Sequence, residues 1–122
     1  KQIDTSGLSF IRLREEDMYY VDKSLLIKDI IESNRCGIYL FTRLAGSEDH
    51  QSMLDAFFNI KYKGNAWFDD LAISQYPEFE GYRNAYPVIS LNMKNAKAPD
   101  YEGFLDAMRT VVLDALKKHL YL

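Results

Sequence analysis

The spacing of apolar residues predicts five helical segments, at residues 10–17, 25–34, 53–60, 65–73 and 101–120. In each of them apolar side chains recur every three or four positions, which is typical of a helix with one buried face. Asp22 or Ser24 is expected to cap the second segment, and Asp100 the last, because short oxygen-bearing side chains accept hydrogen bonds from free backbone N–H groups. The last segment has the longest apolar stripe, which begins at Tyr101 and predicts a helix packed on the core.

Two short runs, 37–42 and 87–93, are rich in apolar and β-branched residues and predict strands covered on both faces. Helices that alternate with such strands predict a single α/β domain over residues 1–122, with short parallel strands and flanking helices. Strand edges left without a neighbour invite pairing. We therefore expect the two strands to pair with each other, or to bind a protein partner or a second copy of the chain.

Composition narrows the class of protein. The 122 residues carry 15 basic and 18 acidic side chains, a net charge of −3, which disfavours a nucleic-acid-binding surface. The single cysteine, Cys36, excludes an internal disulfide and a cysteine-rich zinc site. No apolar run approaches the roughly 18 residues of a membrane span, and the first residues lack a secretory signal. We expect a cytoplasmic protein that binds no membrane.

Candidate chemistry lies in the polar stretch 43–51, between the first predicted strand and the helix after it. In α/β proteins the N-terminus of such a helix is a common phosphate site, since its N–H groups are free and carry partial positive charge. Asp69, Asp70, Glu78 and Glu80 show no metal-binding spacing, and we interpret them as a solvated acidic face.

The segments 19–24 and 38–43, which read YYVDKS and IYLFTR, resemble the AAA-ATPase-like family of bacteria and archaea. The resemblance continues through Ser52–Leu54, Trp67–Ile73 and Tyr86–Leu91, in the same order and with similar spacing. It implies a partial P-loop NTPase-like core, ATP and magnesium as cofactors, and in many members a PD-(D/E)XK nuclease-like domain further along. It also places Lys23 near the nucleotide site.

The stretch that should carry the P-loop departs from the family. The family has a Gly-Lys-Ser/Thr sequence there, but this chain has no lysine between Lys28 and Lys61 and places Glu48 and Asp49 in the corresponding region. A like-charge pair near 4 Å costs about 1–4 kcal/mol, depending on the dielectric. Ser47, Glu48 and Asp49 equally suit the capped first turn of a helix, so the P-loop is interpreted as degenerate.

Three functions stay open at the level of the sequence. We favour a non-catalytic scaffold or interaction module without cofactor, catalytic residue or metal site, because the lysine and the family's acidic strand beyond the long helix are missing from this sequence. The alternative is an ATP-binding module that uses Arg43, Gly46 and Ser47 with Lys23. The third function, a DNA-associated module, is disfavoured by the charge.

Overall fold

The computed structural model describes residues 9–33, 47–91, 93 and 96–122. The chain divides into two compact units, residues 1–86 and 87–122, each of which is described by itself. The expectation of one domain over the whole chain stays a prediction.

The first unit contains three α-helices followed by three short 3-10 helices. Helix α1 spans Phe10–Glu15, α2 spans Leu25–Glu32 and α3 spans Ser47–Phe58. The 3-10 helices are Ile60–Tyr62, Ala72–Gln75 and Pro77–Tyr82. The predicted helices at 10–17 and 25–34 are confirmed, and the one predicted at 53–60 begins earlier, at Ser47. Ser24 precedes α2 but makes no side-chain cap to it.

An aromatic cluster forms the core of this unit. Phe68 stacks on Phe10 with ring centroids 4.9 Å apart and meets the edge of Phe57 at 5.2 Å. Both α1 and α3 contribute to the cluster, so these helices pack through side chains that the apolar spacing had marked as buried. The other core residues are aliphatic or aromatic: Ile27, Met53, Ala56, Leu71, Ile73 and Phe79.

The helix predicted over 65–73 is wrong, although Phe68 and Leu71 are buried as expected. Residues 67–70 form turns that lead into the 3-10 helix Ala72–Gln75. The Asn65 side chain accepts a hydrogen bond from the Trp67 N–H at 3.1 Å, and arginines bond the carbonyls of Asn65 and Trp67. The backbone N–H of Trp67 bonds a side chain, and the two backbone carbonyls bond guanidinium groups. These groups are therefore not used in the backbone hydrogen bonds of an α-helix.

The predicted α/β fold with parallel strands is also wrong for the described residues, which are helical and contain no β-strand. Their one pairing of this kind is an isolated parallel bridge between Asn59 and Tyr86. The Ile60 N–H donates to the Tyr86 carbonyl at 2.8 Å, and the Tyr86 N–H donates to the Phe58 carbonyl at 3.0 Å. Pro87 follows and has no N–H to donate, so the pairing does not extend through it.

The two predicted strands have different outcomes. Residues 87–91 and 93 of the second are described and do not form a strand, and the side chains of Ile89, Leu91 and Met93 are exposed. The first, at 37–42, lies outside the described residues together with Cys36. Because the second strand does not form, the expected pairing of the two strands is wrong for the described residues 87–91 and 93, while binding of a protein partner or a second copy stays a prediction.

The second unit contains helix α4, Tyr101–Lys117. The predicted cap is confirmed, because the Asp100 carboxylate accepts a hydrogen bond from the Gly103 N–H at 2.7 Å. A Cβ added at Gly103 would lie 2.8 Å from that carboxylate oxygen, so glycine makes room for the cap. The apolar stripe is only partly buried: Ala115 is buried, but Tyr101, Phe104, Val112 and Leu116 are exposed.

Candidate functional site

Asp22 and Ser24, in the segment that carries the family resemblance, join two distant parts of the first unit. One carboxylate oxygen of Asp22 accepts from the Ser24 N–H at 2.9 Å, and the other accepts from the Ala72 N–H at 2.7 Å. The buried Ser24 hydroxyl oxygen accepts from the Ile73 N–H at 3.1 Å. The three bonds hold the start of the 3-10 helix Ala72–Gln75 against the entrance to α2.

This arrangement lowers the pKa of the Asp22 carboxyl below its ordinary value of 3.8. Partial burial acts in the opposite direction and raises the pKa, but hydrogen bonds from Ser24 and Ala72 and the positive charge of Arg14 outweigh it. The carboxylate is therefore charged at neutral pH and is committed to backbone donors. A group in this state is a structural acceptor rather than a proton donor or general base.

Lys23 lies between these two residues in the sequence and has a different environment. Its backbone carbonyl accepts from the Leu26 N–H at 3.1 Å, and its side chain is half-buried. Its ammonium group makes no hydrogen bond or ion pair with the described residues. A cation without such a partner among the described residues is suited to bind an anion.

The other predicted nucleotide-binding residues can be placed only in part. Ser47 is the first residue of α3, so the backbone there is a helix N-terminus, as the phosphate hypothesis requires. Arg43 and Gly46 lie outside the described residues. The site that these three residues would form with Lys23 therefore remains a hypothesis from the sequence.

Arg14 and Arg83 hold the turn between Asn65 and Leu71 from two sides. Arg14 donates to the Trp67 carbonyl at 3.0 Å and forms an ion pair with Asp70. Arg83 donates to the Asn65 carbonyl at 2.6 Å and to the Asp69 carboxylate at 2.9 Å. The two aspartates thus pair with arginines rather than with each other.

The sequence reasoning missed both arginines because Arg14 bonds a residue 56 positions away and Arg83 one 14 positions away. No local spacing signals such pairs. The acidic residues of this region are solvated, as predicted, and Glu80 lies 3.6 Å from Arg83. Among the described residues no group of three or more histidine, cysteine, aspartate or glutamate side chains is placed to hold a metal ion.

A buried asparagine network closes the base of α3. The Asn84 side-chain amide donates to the carbonyls of Ala56 and Asn59 at 2.9 and 2.7 Å, and its oxygen accepts from the Asn65 amide at 3.0 Å. Its backbone has a positive φ of 50°. These bonds complete the C-terminal end of the helix, so the network is structural.

The exposed apolar side chains of α4 are the feature of the second unit that capping and packing leave unexplained. Tyr101 is 73% exposed, Leu113 57% and Leu116 46%. Exposed apolar surface on a helix is a candidate binding surface where its side chains lie along one face. Among the described residues no helix is both long and apolar enough to span a membrane.

Comparison with known proteins gives one match. A family model described as a predicted AAA-ATPase, AAA-ATPase-like, matches residues 6–121. No curated protein and no solved structure matches the chain. The match covers Asp22, Lys23, α3 and α4 alike.

Proposed function

Since the chain belongs to the AAA-ATPase-like family, we propose that it is an interaction module of that family which does not hydrolyse ATP. The observation that carries the proposal is the exposed apolar face of α4, where Tyr101, Val112 and Leu116 meet solvent. Exposing apolar surface to water costs about 25 cal/mol of free energy for each Å². A partner that covers these side chains removes that cost. An interaction role gives this surface a purpose.

The sequence of the phosphate-binding region supports the loss of hydrolysis. A P-loop enzyme uses a lysine to contact the β- and γ-phosphates and a hydroxyl to hold magnesium. This chain has no lysine between Lys28 and Lys61, and its α3 helix begins Ser47-Glu48-Asp49. By residue type, Glu48 and Asp49 suit the dipole at the N-terminus of a helix, where a P-loop enzyme would bind a phosphate.

The hydrogen bonds of Asp22 also support the proposed loss of hydrolysis. An acidic residue near a nucleotide site is a candidate magnesium ligand, but both oxygens of this carboxylate accept bonds from backbone N–H groups. Among the described residues no three histidine, cysteine, aspartate or glutamate side chains converge on one point. We therefore derive no catalytic step through magnesium or ATP.

A second candidate function, ATP binding without hydrolysis, is favoured by the half-buried Lys23 and by the helix N-terminus at Ser47. In this hypothesis Arg43 and Lys23 supply positive charge, and backbone N–H groups near Gly46 and Ser47 contact the phosphates. The family membership is compatible with both candidate functions.

Thermal unfolding in a titration of Mg-ATP separates the two. A ligand at 100 times its dissociation constant stabilises the folded state by about 2.7 kcal/mol, which is a clear rise in melting temperature. We expect no rise at millimolar Mg-ATP. A rise that Lys23→Ala abolishes, while Lys61→Ala retains it, would establish nucleotide binding and favour the second candidate function over the first.

A further inference from the structure

We propose that α4 mediates self-association of the protein, by packing antiparallel against α4 of a second copy. The proposal deepens the interaction role given above and rests on it, since it names the partner of the same surface. The spacing of apolar residues on the exposed part of α4 and the distribution of charge beside them support this pairing.

Four apolar residues of α4 form a narrow face, here called the α4 face: Tyr101, Leu105, Val112 and Leu116. At 3.6 residues per turn they fall within about 60° of the helix surface. Tyr101, Val112 and Leu116 are exposed and Leu105 is half-exposed. Ala115, beside this face, is buried, whereas Phe104 and Leu113 are exposed outside it, so the α4 face is the part of the exposed apolar surface whose residues lie in line along the helix.

The spacing of the α4 face is self-complementary. Tyr101 and Leu105 are four residues apart, and Val112 and Leu116 are also four residues apart. In an antiparallel pair with the two-fold axis between residues 108 and 109, Tyr101 of one copy lies beside Leu116 of the other. The same register places Leu105 beside Val112, so all four apolar side chains are covered at once.

The charged residues next to the α4 face favour the same register. Glu102 and Asp106 occupy one flank of the N-terminal half, and Arg109 and Lys117 occupy the same flank of the C-terminal half. In the antiparallel pair Glu102 of one copy lies near Lys117 of the other, and Asp106 lies near Arg109. In a parallel pair residues 102 and 117 are about 22 Å apart along the axis, and no such pairing occurs.

The charges that would form these pairs are available. Arg109 lies 3.2 Å from Asp106 and Lys117 lies 3.6 Å from Asp114 within the helix, but these side chains are about three-quarters to two-thirds exposed. Exposed pairs of this kind contribute little to stability and exchange partners readily. Opposite charges on a shared flank therefore fix the direction of the pair, while the apolar residues supply its affinity.

The test is sedimentation velocity of the whole chain from roughly 1 to 100 µM, because one helix pair is small beside a standard interface and predicts a micromolar dissociation constant. We expect a monomer–dimer equilibrium. Leu116→Glu should weaken the dimer at least about 100-fold by placing charge in the apolar contact. Thr110→Glu adds the same charge on another side of α4 and should leave the equilibrium unchanged.

Charge reversal tests the direction. Glu102→Lys and Lys117→Glu should each weaken the dimer by about tenfold, and the double variant should restore it. A monomer at every concentration, or a dimer that the double variant fails to restore, would overturn the antiparallel pair. These outcomes are separate from the Mg-ATP titration, whose positive result would favour the second candidate function while leaving the dimer measurable. Circular dichroism confirms that each variant keeps its helices.

Discussion

Replacing Asp22 by asparagine is expected to destabilise the first unit. The carboxylate accepts from the Ser24 N–H at 2.9 Å and from the Ala72 N–H at 2.7 Å, and the second bond joins residues 50 positions apart. An asparagine side chain has one acceptor oxygen in place of two. Its amide group would face one of the N–H donors, so Asp22→Asn loses a bond and a favourable charge.

The magnitude follows from these contacts. A hydrogen bond to a charged group contributes about 1.5–3 kcal/mol when buried, and partial exposure of this carboxylate reduces the value. We expect Asp22→Asn to lower the free energy of unfolding by about 1–2 kcal/mol. With a urea dependence of about 2 kcal/mol per molar, the midpoint of unfolding falls by about 0.5–1 M.

The pH dependence gives an independent check. The pKa of Asp22 is lowered in the folded protein from 3.8, so its stabilising contribution is present above that value and is lost as the pH falls through the lower folded pKa. Urea unfolding should therefore separate wild type from Asp22→Asn fully at pH 7 and progressively less below about pH 4.

Asp29→Asn is the matched control, because Asp29 is exposed on α2 and loses the same charge. It should shift the free energy of unfolding by less than about 0.5 kcal/mol. Equal effects of the two variants at pH 7, or a difference that persists unchanged to pH 2, would refute the assignment of Asp22 as a structural acceptor.

Three further stability predictions can be checked by the same urea measurement. Asn84→Ala should cost about 2–3 kcal/mol, since it removes the side-chain hydrogen bonds to the carbonyls of Ala56 and Asn59 and places alanine, which tolerates a positive φ less well than asparagine, at a φ of 50°; Asn84→Gly should recover about 1 kcal/mol of that. Phe68→Ala should cost about 3–5 kcal/mol and Phe68→Leu clearly less, because Phe68 is 1% exposed at the centre of the aromatic cluster. Arg83→Lys should cost about 1 kcal/mol by losing the bond to the Asn65 carbonyl, whereas Asp69→Asn at the exposed end should cost under 0.5 kcal/mol.

Local patterns were enough to predict the helices whose stability comes from one buried face or one cap. The segments around Phe10 and Ile27 became α1 and α2, and Asp100 caps α4 through Gly103 as its residue type indicates. The family was also recognisable from short segments such as YYVDKS, and the family match over residues 6–121 confirms it.

Other features depend on residues that are far apart in the sequence. The apolar residues of the turn at 65–71 have helical spacing. However, Arg14 and Arg83, which are distant in the sequence, donate hydrogen bonds to the backbone carbonyls that a helix would use. Asp22 has the residue type of a helix cap, yet half of its bonding goes to Ala72. No window of neighbouring residues contains this information.

The sequence alone determined where α1, α2 and α4 begin, which side chains are apolar on each of them, and that the region of the P-loop lacks its lysine, because all three follow from residue type and short-range spacing. Only the tertiary structure decided which apolar positions are covered. Residues 87–91 have the composition of a strand but not its pairing, and α4 has the stripe of a core helix but keeps Tyr101 and Leu116 in solvent. An apolar side chain is buried only when another part of the chain packs against it. Which part packs there depends on contacts between residues far apart in the sequence.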